Sequence, residues 1–253
     1  MNLYGLIGFP LTHSFSKKYF TEKFEKENIK NSKYELFEIK EAGEILDVIK
    51  KNPDLHGLNV TIPHKEKIMD YLSKIDLSAA EIGAVNVIKI QDSELIGYNS
   101  DYYGFLEAFN KFKGPNDNFI NEIAYNNYKA LVLGDGGAAK AVKAVLKKEY
   151  IDYKIVSRKK INDNLSYSDI TKDLLKEYNI VINTTPLGMY PNINSCPDIP
   201  YQYLSDKNYL FDLVYNPLIT KFMHKGKENG AHIKNGLEML HLQAEKAWEI
   251  WNS

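Results

Sequence analysis

The stretch from Lys129 to Lys140, KALVLGDGGAAK, most narrows what this chain can fold into. Ala130 to Leu133 is a short apolar run bounded by glycine, the pattern of a strand buried on both faces of a parallel sheet. Gly134, Gly136 and Ala139 then fit G-x-G-x-x-G/A, and Ala141, Val142, Val145 and Leu146 continue at helical spacing. The order is therefore strand, tight turn, helix. Gly134 permits the sharp turn, Gly136 lets a pyrophosphate approach bare backbone, and Ala139 lets the helix pack close on the strand. A glycine-rich turn that binds nothing is the competing account of the same residues.

The rest of the chain alternates strand and helix, which argues for an α/β fold with parallel sheets. Strands are expected at Leu3 to Ile7, Tyr34 to Ile39, Leu55 to Ile62 and Val85 to Ile90. Glu94 to Tyr98 pairs with the last of these as a hairpin across Gln91 to Ser93. Further strands are expected at Tyr153 to Val156, Ile180 to Thr185 and Leu210 to Tyr215, the last stopped by Asn216-Pro217. Helices are expected at Lys17 to Asn28 with Ser16 as N-cap, at Glu41 to Lys51, and from Lys65 through Leu72. Asp101 reads as the N-cap of a helix from Tyr102 to Phe112. The final helix, Leu237 to Trp251, carries Leu237, Leu240, Ala244, Ala247 and Trp251 on one face, with Gln243 on its flank. Its Glu238, His241 and Glu245 read as a solvated charged face. Lys113 to Asn127 reads as a polar linker, and Gly226 and Gly230 as loosening the chain before Asn235-Gly236.

With 253 residues the chain can build one large or two ordinary cores. A net charge of −1 and the lack of a basic block with interleaved aromatics argue against nucleic acid or an anionic membrane as main partner. No apolar run reaches the roughly 18 residues that a spanning helix needs. Met1 to Gly8 reads as a strand, not as a basic leader peptide. Cys196 is the only cysteine, so a reducing cytoplasm is expected and the thiol, in a proline-flanked loop, is taken as inert. The histidines include no H-E-x-x-H and no i,i+4 pair, so no metal site is expected.

Several polar groups sit where open α/β sheets bind ligands, at strand C-terminal ends. In Asn59-Val-Thr-Ile-Pro-His-Lys65, alternation gives Asn59 and Thr61 a common face, with Lys65 just beyond. Lys65 reads equally as a solvated first-turn residue, although a cation there opposes the helix dipole. Asn86 is an incongruous polar residue in an apolar strand. After Val156 comes Ser157-Arg158-Lys159, where an enzyme choosing NAD would place Asp or Glu for the ribose 2′-hydroxyl. Arg158 can instead grip a 2′-phosphate bidentately.

Taken in order, eight motifs resemble the shikimate dehydrogenase family over nearly the full length. They are Ser14-Phe-Ser16, Asn59-x-Thr61-x-Pro63-x-Lys65, Gly83-Ala84-x-Asn86, Asn99-x-Asp101, Gly134-x-Gly136-Gly137-Ala138, Asn183-x-Thr185-x-x-Gly188, Asp212-x-x-Tyr215-x-Pro217, and Asn235-Gly236-x-x-Met239-Leu240-x-x-Gln243-Ala244. The resemblance implies an N-terminal α/β substrate-binding domain, residues 1–101 joined by a returning segment 235–253, and a Rossmann-like NADP-binding domain, residues 102–234. The reaction would lie in the cleft between them. It further implies that Ser14 and Ser16 take the substrate carboxylate, while Asn59, Thr61, Lys65, Asn86, Asp101 and Gln243 take the ring hydroxyls and Tyr215 lines the same cleft. NADP(H) would be held by Gly134, Gly136, Gly137, Ala138, Ser157, Arg158, Lys159, Thr184, Thr185, Leu213 and Gly236.

The implied reaction is reversible reduction of 3-dehydroshikimate to shikimate by NADPH, in the biosynthesis of chorismate and aromatic amino acids. Lys65 and Asp101 would form the catalytic pair, since an ordinary lysine (pKa about 10.4) stays charged at neutral pH and a nearby carboxylate favours that form. A monomer or homodimer is expected. Two positions depart from the family pattern: Lys17 stands where proline usually follows the second serine, and the usual Asn-Arg-Thr turn is Ser157-Arg158-Lys159. Rival readings are a broader quinate/shikimate dehydrogenase, a methylenetetrahydrofolate dehydrogenase on a similar two-domain scaffold, and a non-enzymatic NADP-responsive regulator.

Overall fold

The computed structural model describes residues 1–11, 14–112, 128–158 and 164–253. The linker expected at Lys113 to Asn127 lies outside them, as does Lys159. The chain is α/β and packs as two compact units, Met1–Ser100 with Ala244–Ser253, and Asp101–Gln243. Residues 235 to 243 thus pack with the second unit, and only the last ten residues return to the first.

The first unit is built on a six-stranded sheet. Its strands are β1 (Asn2–Gly8), β2 (Ser32–Glu38), β3 (Leu55–Val60), β4 (Lys74–Ile75), β5 (Val87–Gln91) and β6 (Glu94–Tyr98), in the order β2-β1-β3-β5-β6-β4. β2, β1 and β3 run parallel, while β5 pairs antiparallel with both β3 and β6. The β5–β6 hairpin turns on Asp92 and Ser93, both at positive φ, as a two-residue turn requires. Helices α1 (Phe15–Lys26), α2 (Ile45–Lys51) and α3 (Leu77–Ile82) complete the unit. One core cluster joins Leu3, Ile7, Leu58 and Ile88. The other joins Tyr4, Phe20, Phe24 and Tyr34 to Ala244, Ala247 and Trp251 of α8 (Leu237–Asn252). Trp251 closes that cluster by donating its indole N–H to the Ile88 carbonyl at 3.1 Å.

The second unit holds a five-stranded parallel sheet of β7 (Lys129–Leu133), β8 (Asp152–Val156), β9 (Ile180–Asn183), β10 (Tyr209–Asp212) and β11 (His232–Asn235), ordered β11-β10-β9-β7-β8. Leu165 adds a single parallel bridge to Val156 outside β8. That is the doubly wound Rossmann order with its outer strand reduced to one residue. Alternate residues of the strands serve opposite faces. Ala130, Val132, Ile182 and Phe211 pack with α4 (Ser100–Phe112) and α5 (Gly137–Lys148), and Leu131, Leu133, Val181 and Leu210 pack with α6 (Lys172–Glu177) and α7 (Lys221–Glu228).

Several expected boundaries shift, each for a visible reason. Ser14 rather than Ser16 caps α1, because its extended backbone lets Oγ accept the Lys17 N–H at 3.2 Å. No α-helix starts at Lys65: its carbonyl accepts Val85 N–H at 2.8 Å, which takes it from any helical ladder, and only a 3₁₀ turn forms at Lys67–Tyr71. Glu41 to Lys51 splits into a 3₁₀ turn, Ala42–Glu44, and α2. Asp101 lies inside the first turn of α4, not at its cap. β9 stops at Asn183 and β10 at Asp212, because each side chain captures the N–H two residues on, of Thr185 and Val214. Gly226 does not loosen the chain. It sits inside α7 against Leu210, so helix and strand approach closely. On the charged face of α8, His241 is exposed, Glu238 accepts from Lys234 and from Lys111 at 3.1 Å, and Glu245 accepts from Tyr19 and from Lys23 at 2.8 Å.

Candidate functional site

In the first unit the polar groups gather at the C-terminal ends of β1 and β3. These strands are parallel neighbours, Leu6 opposite Asn59 and Ile7 opposite Val60, so both deliver their following loops to one sheet edge. From β1 the chain reaches Ser14 and Ser16 at the start of α1. Lys17, where proline would leave no N–H to give, supplies the amide that Ser14 Oγ accepts. The Ser14 hydroxyl proton therefore remains able to donate. Lys17 also pairs with Glu35 at 2.7 Å.

Tyr34 links the two loops. Its hydroxyl donates to Asn59 Oδ1 at 2.7 Å and is hydrogen-bonded to Ser16. Burial drives the Tyr34 phenol well above its ordinary value, so it stays protonated and able to donate. In the sequence Tyr34 reads only as an apolar strand position, and nothing there marks it as a site residue. Asn86 adjoins this edge, since its carbonyl accepts Val60 N–H at 2.9 Å. Its side chain is almost fully buried and is held by Ser100. Thr61 follows β3 with its N–H on the Ile7 carbonyl, and Lys65 stands half-buried one turn further, its carbonyl bonded to Val85. Thus Ser16, Tyr34 and Asn59 form one bonded chain, beside Thr61 and Asn86.

In the second unit, a cleft of about 820 Å³ opens at the C-terminal ends of β7, β8 and β9. Six of the residues expected at the cofactor line it: Gly134, Gly136, Ser157, Arg158, Thr184 and Thr185. Gly134 has φ +100, and a Cβ there would press on Thr184 Oγ1 and Thr185 Cγ2 at 2.9 Å. Gly137 and Ala138 open α5, and the space before Gly136 and Gly137 is clear to 4 Å. Bare backbone at the N-terminus of a 12-residue helix is thereby left open to an anion. Asp135, in the same loop, is neutralised by Lys143 at 2.7 Å.

Asn164 and Tyr167 also line the cleft, and no sequence pattern marks them. They arrive because the chain returns at once from β8, Ser157 N–H bonding the Leu165 carbonyl at 2.9 Å. Burial raises the Tyr167 phenol, while the charge of Arg158, which lines the same cleft, pulls it down. Leu213 and Gly236 are not among the lining residues. They meet each other beyond β10 and β11, where a Cβ on Gly236 would overlap the Leu213 carbonyl oxygen. Tyr215 has its phenol raised by burial, and Gln243 lies half-buried against Gly104 of α4. Asp101 is 6% exposed in the first turn of α4.

A parallel doubly wound sheet, a glycine turn feeding a helix, and an arginine at the end of the second strand define a Rossmann-type dinucleotide-binding scaffold. Kinship with known proteins narrows this. The shikimate dehydrogenase substrate binding domain family matches residues 6–88. The chain is 40% identical over 260 residues to a shikimate dehydrogenase (NADP(+)) of Clostridium beijerinckii, covering 99% of this chain and 92% of that relative. Among solved structures, a chorismate mutase/shikimate 5-dehydrogenase fusion protein from Clostridium acetobutylicum superposes with a TM-score of 0.87 at 35% identity, covering 100% of this chain and 91% of the other. Shikimate 5-dehydrogenase from Thermus thermophilus, in complex with NADP(H) and shikimate, gives 0.82 at 26% identity, covering 99% and 93%. The chain belongs to the shikimate dehydrogenase family.

Proposed function

We infer that this chain is an NADP-dependent oxidoreductase catalysing the reversible reduction of 3-dehydroshikimate to shikimate, a step toward chorismate and the aromatic amino acids. The observation that carries this is kinship with NADP(+) shikimate dehydrogenases at 40% identity over 99% of the chain. The cleft of the second unit suits NADP in particular. It offers bare backbone at the Gly136–Gly137 turn for a pyrophosphate. Beside it stands Arg158, a cation suited to a 2′-phosphate, and no carboxylate follows β8 at Ser157-Arg158.

When bound, NADPH supplies the hydride. The chain's own groups orient the ketone and manage the proton. By its motif, Lys65 donates a proton to the oxygen that becomes the hydroxyl, and Asp101 keeps that ammonium charged and in place. Ser14, with its hydroxyl proton unspent, and Ser16 receive the substrate carboxylate. Asn59, with its acceptor already engaged by Tyr34, presents its amide N–H groups to a ring hydroxyl. Thr61, Asn86, Tyr215 and Gln243 complete the set by the same motif match. The first unit serves as the substrate domain and the second as the NADP domain. Ser157, Thr184 and Thr185 contact the cofactor with Gly134, Gly136, Gly137, Ala138 and Arg158, while Lys159, Leu213 and Gly236 are assigned on the resemblance alone. We place the enzyme in the cytoplasm, as a monomer or homodimer.

The test is an absorbance assay of shikimate-dependent NADP⁺ reduction, run beside NAD⁺ and quinate. Turnover with shikimate and NADP⁺ well above both controls is expected. Absence of turnover overturns the assignment, and equal rates on quinate convert it to a quinate/shikimate dehydrogenase.

A further inference from the structure

Two motif residues have no part in the chemistry just described, yet they are among the most buried polar groups of the molecule. Asn183 ends β9 and Asp212 ends β10, 29 positions later, and both are 0% exposed. The two strands are parallel neighbours with Asp212 directly opposite Asn183. Their side chains meet there, Asn183 Nδ2 donating to Asp212 Oδ1 at 2.9 Å.

Each residue also governs the backbone that follows it. Asn183 Oδ1 accepts both the N–H and the hydroxyl of Thr185, at 3.0 and 2.6 Å. Thr185 in turn accepts the Leu187 N–H at 3.3 Å, so Thr185 and Leu187 at the cleft wall hang on this amide, while Thr184 is tied separately to the Leu133 carbonyl. Asp212 Oδ1 accepts the Val214 N–H at 3.0 Å, and Oδ2 accepts the Thr220 hydroxyl at 2.5 Å, the cap of α7. The Leu213 N–H completes the tie on the Asn183 carbonyl at 3.0 Å. A buried carboxylate held by neutral groups is costly to keep. Here the loops after both strands converge on it.

We propose that Asp212 is a positioning residue for the cofactor: through Asn183 it sets Thr185 at the cleft wall, and through Val214 it sets the turn that carries Leu213. The proposal rests on the NADP reading of the cleft. It acts by shape, not by charge, which the conservative variant exposes. In Asp212→Asn the amide oxygen can still accept from Asn183 and Val214, and its NH₂ can donate to Thr220. Asp212→Ala has neither capacity. Asn183→Ala cuts the same connection from its other end and leaves Asp212 two donors.

The experiment measures NADP⁺ binding by calorimetry, KM for shikimate, and amide hydrogen exchange in the ligand-free protein. Asp212→Ala and Asn183→Ala should each weaken NADP⁺ binding by about tenfold or more, the order of one hydrogen bond lost at the cleft wall. The double variant should be no worse than the poorer single one, because both cut one chain. Asp212→Asn should stay within about threefold, and KM for shikimate should hold in all. Exchange at the Thr185 amide, which Asp212 does not touch, should accelerate in Asp212→Ala. Where Asp212→Ala does not fold, Asn183→Ala with Asp212→Asn decides the matter. Unchanged NADP⁺ affinity in Asn183→Ala, or an Asp212→Asn as impaired as Asp212→Ala, overturns the proposal, as does unaltered exchange at Thr185. A parent protein that does not bind NADP⁺ while Thr185 exchange still responds overturns the functional assignment instead, and supports Asp212 as the residue that sets the loop.

Discussion

Asn86 and Ser100 hold each other twice: the Ser100 N–H donates to Asn86 Oδ1 at 2.7 Å, and Asn86 Nδ2 donates to Ser100 Oγ at 3.1 Å. The pair fastens the entry of β5 to the first residue of α4, and both partners are almost wholly buried. One amide thus serves the architecture with both its oxygen and its nitrogen. Asn86→Ala leaves a buried backbone donor without its acceptor, so urea unfolding should show a loss of about 1–3 kcal/mol. Asn86→Asp restores the acceptor for Ser100 N–H but not the donor. It should recover stability in part while shikimate KM remains raised. Equal stability of Asn86→Ala and the parent would refute the structural half of this role.

Lys65 lies on a turn, not on a helix, and its backbone is pinned by Val85. That backbone bond does not depend on the side chain. Lys65→Ala should lower kcat by about 10²–10⁴ with KM for shikimate nearly unchanged, the signature of a lost proton donor. Stopped-assay turnover and circular dichroism on the same preparation check this. Near-parental turnover in a folded variant would remove Lys65 from the chemistry.

Arg158 is the cation among the described residues that line the cleft of the second unit, which Tyr167 also lines. Arg158→Ala should weaken NADPH by about 1.5–3 kcal/mol, the range of a charge-assisted hydrogen bond. NADH, lacking the 2′-phosphate, should be affected little, so the preference between them narrows. Calorimetric titration with both nucleotides measures it. An unchanged NADPH affinity would locate the phosphate elsewhere.

Much of this is legible in the sequence because periodic burial writes itself into residue order. The β7 run, the Gly134 turn and the α5 face emerge intact, since a doubly covered strand and a one-sided helix impose different spacings. The shifted boundaries have a common cause. At Asn183, Asp212 and Ser14 a side chain captures backbone N–H groups that periodicity assigns to strand or helix continuation. Lys65 reads wrongly as a helix start because its carbonyl bonds Val85, 20 positions away, which no local window contains. Tyr34, Asn164 and Tyr167 escape for a similar reason. Tyr34 enters its site through cross-strand contacts, and the other two because Leu165 returns to β8 after an aperiodic segment. β11 and α7 are hidden where Gly226 and Gly230 suggest slack, although Gly226 is a packing residue.

Asp212 carries a measurable penalty for its place in the core. Burial lifts its carboxyl from 3.8 to about 6, with the bonds from Thr220, Val214 and Asn183 pulling the other way. A carboxyl whose folded pKa lies above its unfolded one binds its proton more tightly in the folded state. Its contribution to stability is full below about pH 4 and is lost as pH rises through about 6. The gap between those two values corresponds to something on the order of 3 kcal/mol. Asp212→Asn cannot ionise, so the variant escapes this loss. Its melting temperature should exceed the parent's at about pH 8, and the gap should shrink steadily between about pH 6 and pH 4. Differential scanning calorimetry across that range reads the difference directly. A gap that is constant with pH would mean that Asp212 does not titrate between the two values. A variant less stable than the parent at the alkaline end would mean that the charge itself is stabilised by the fold.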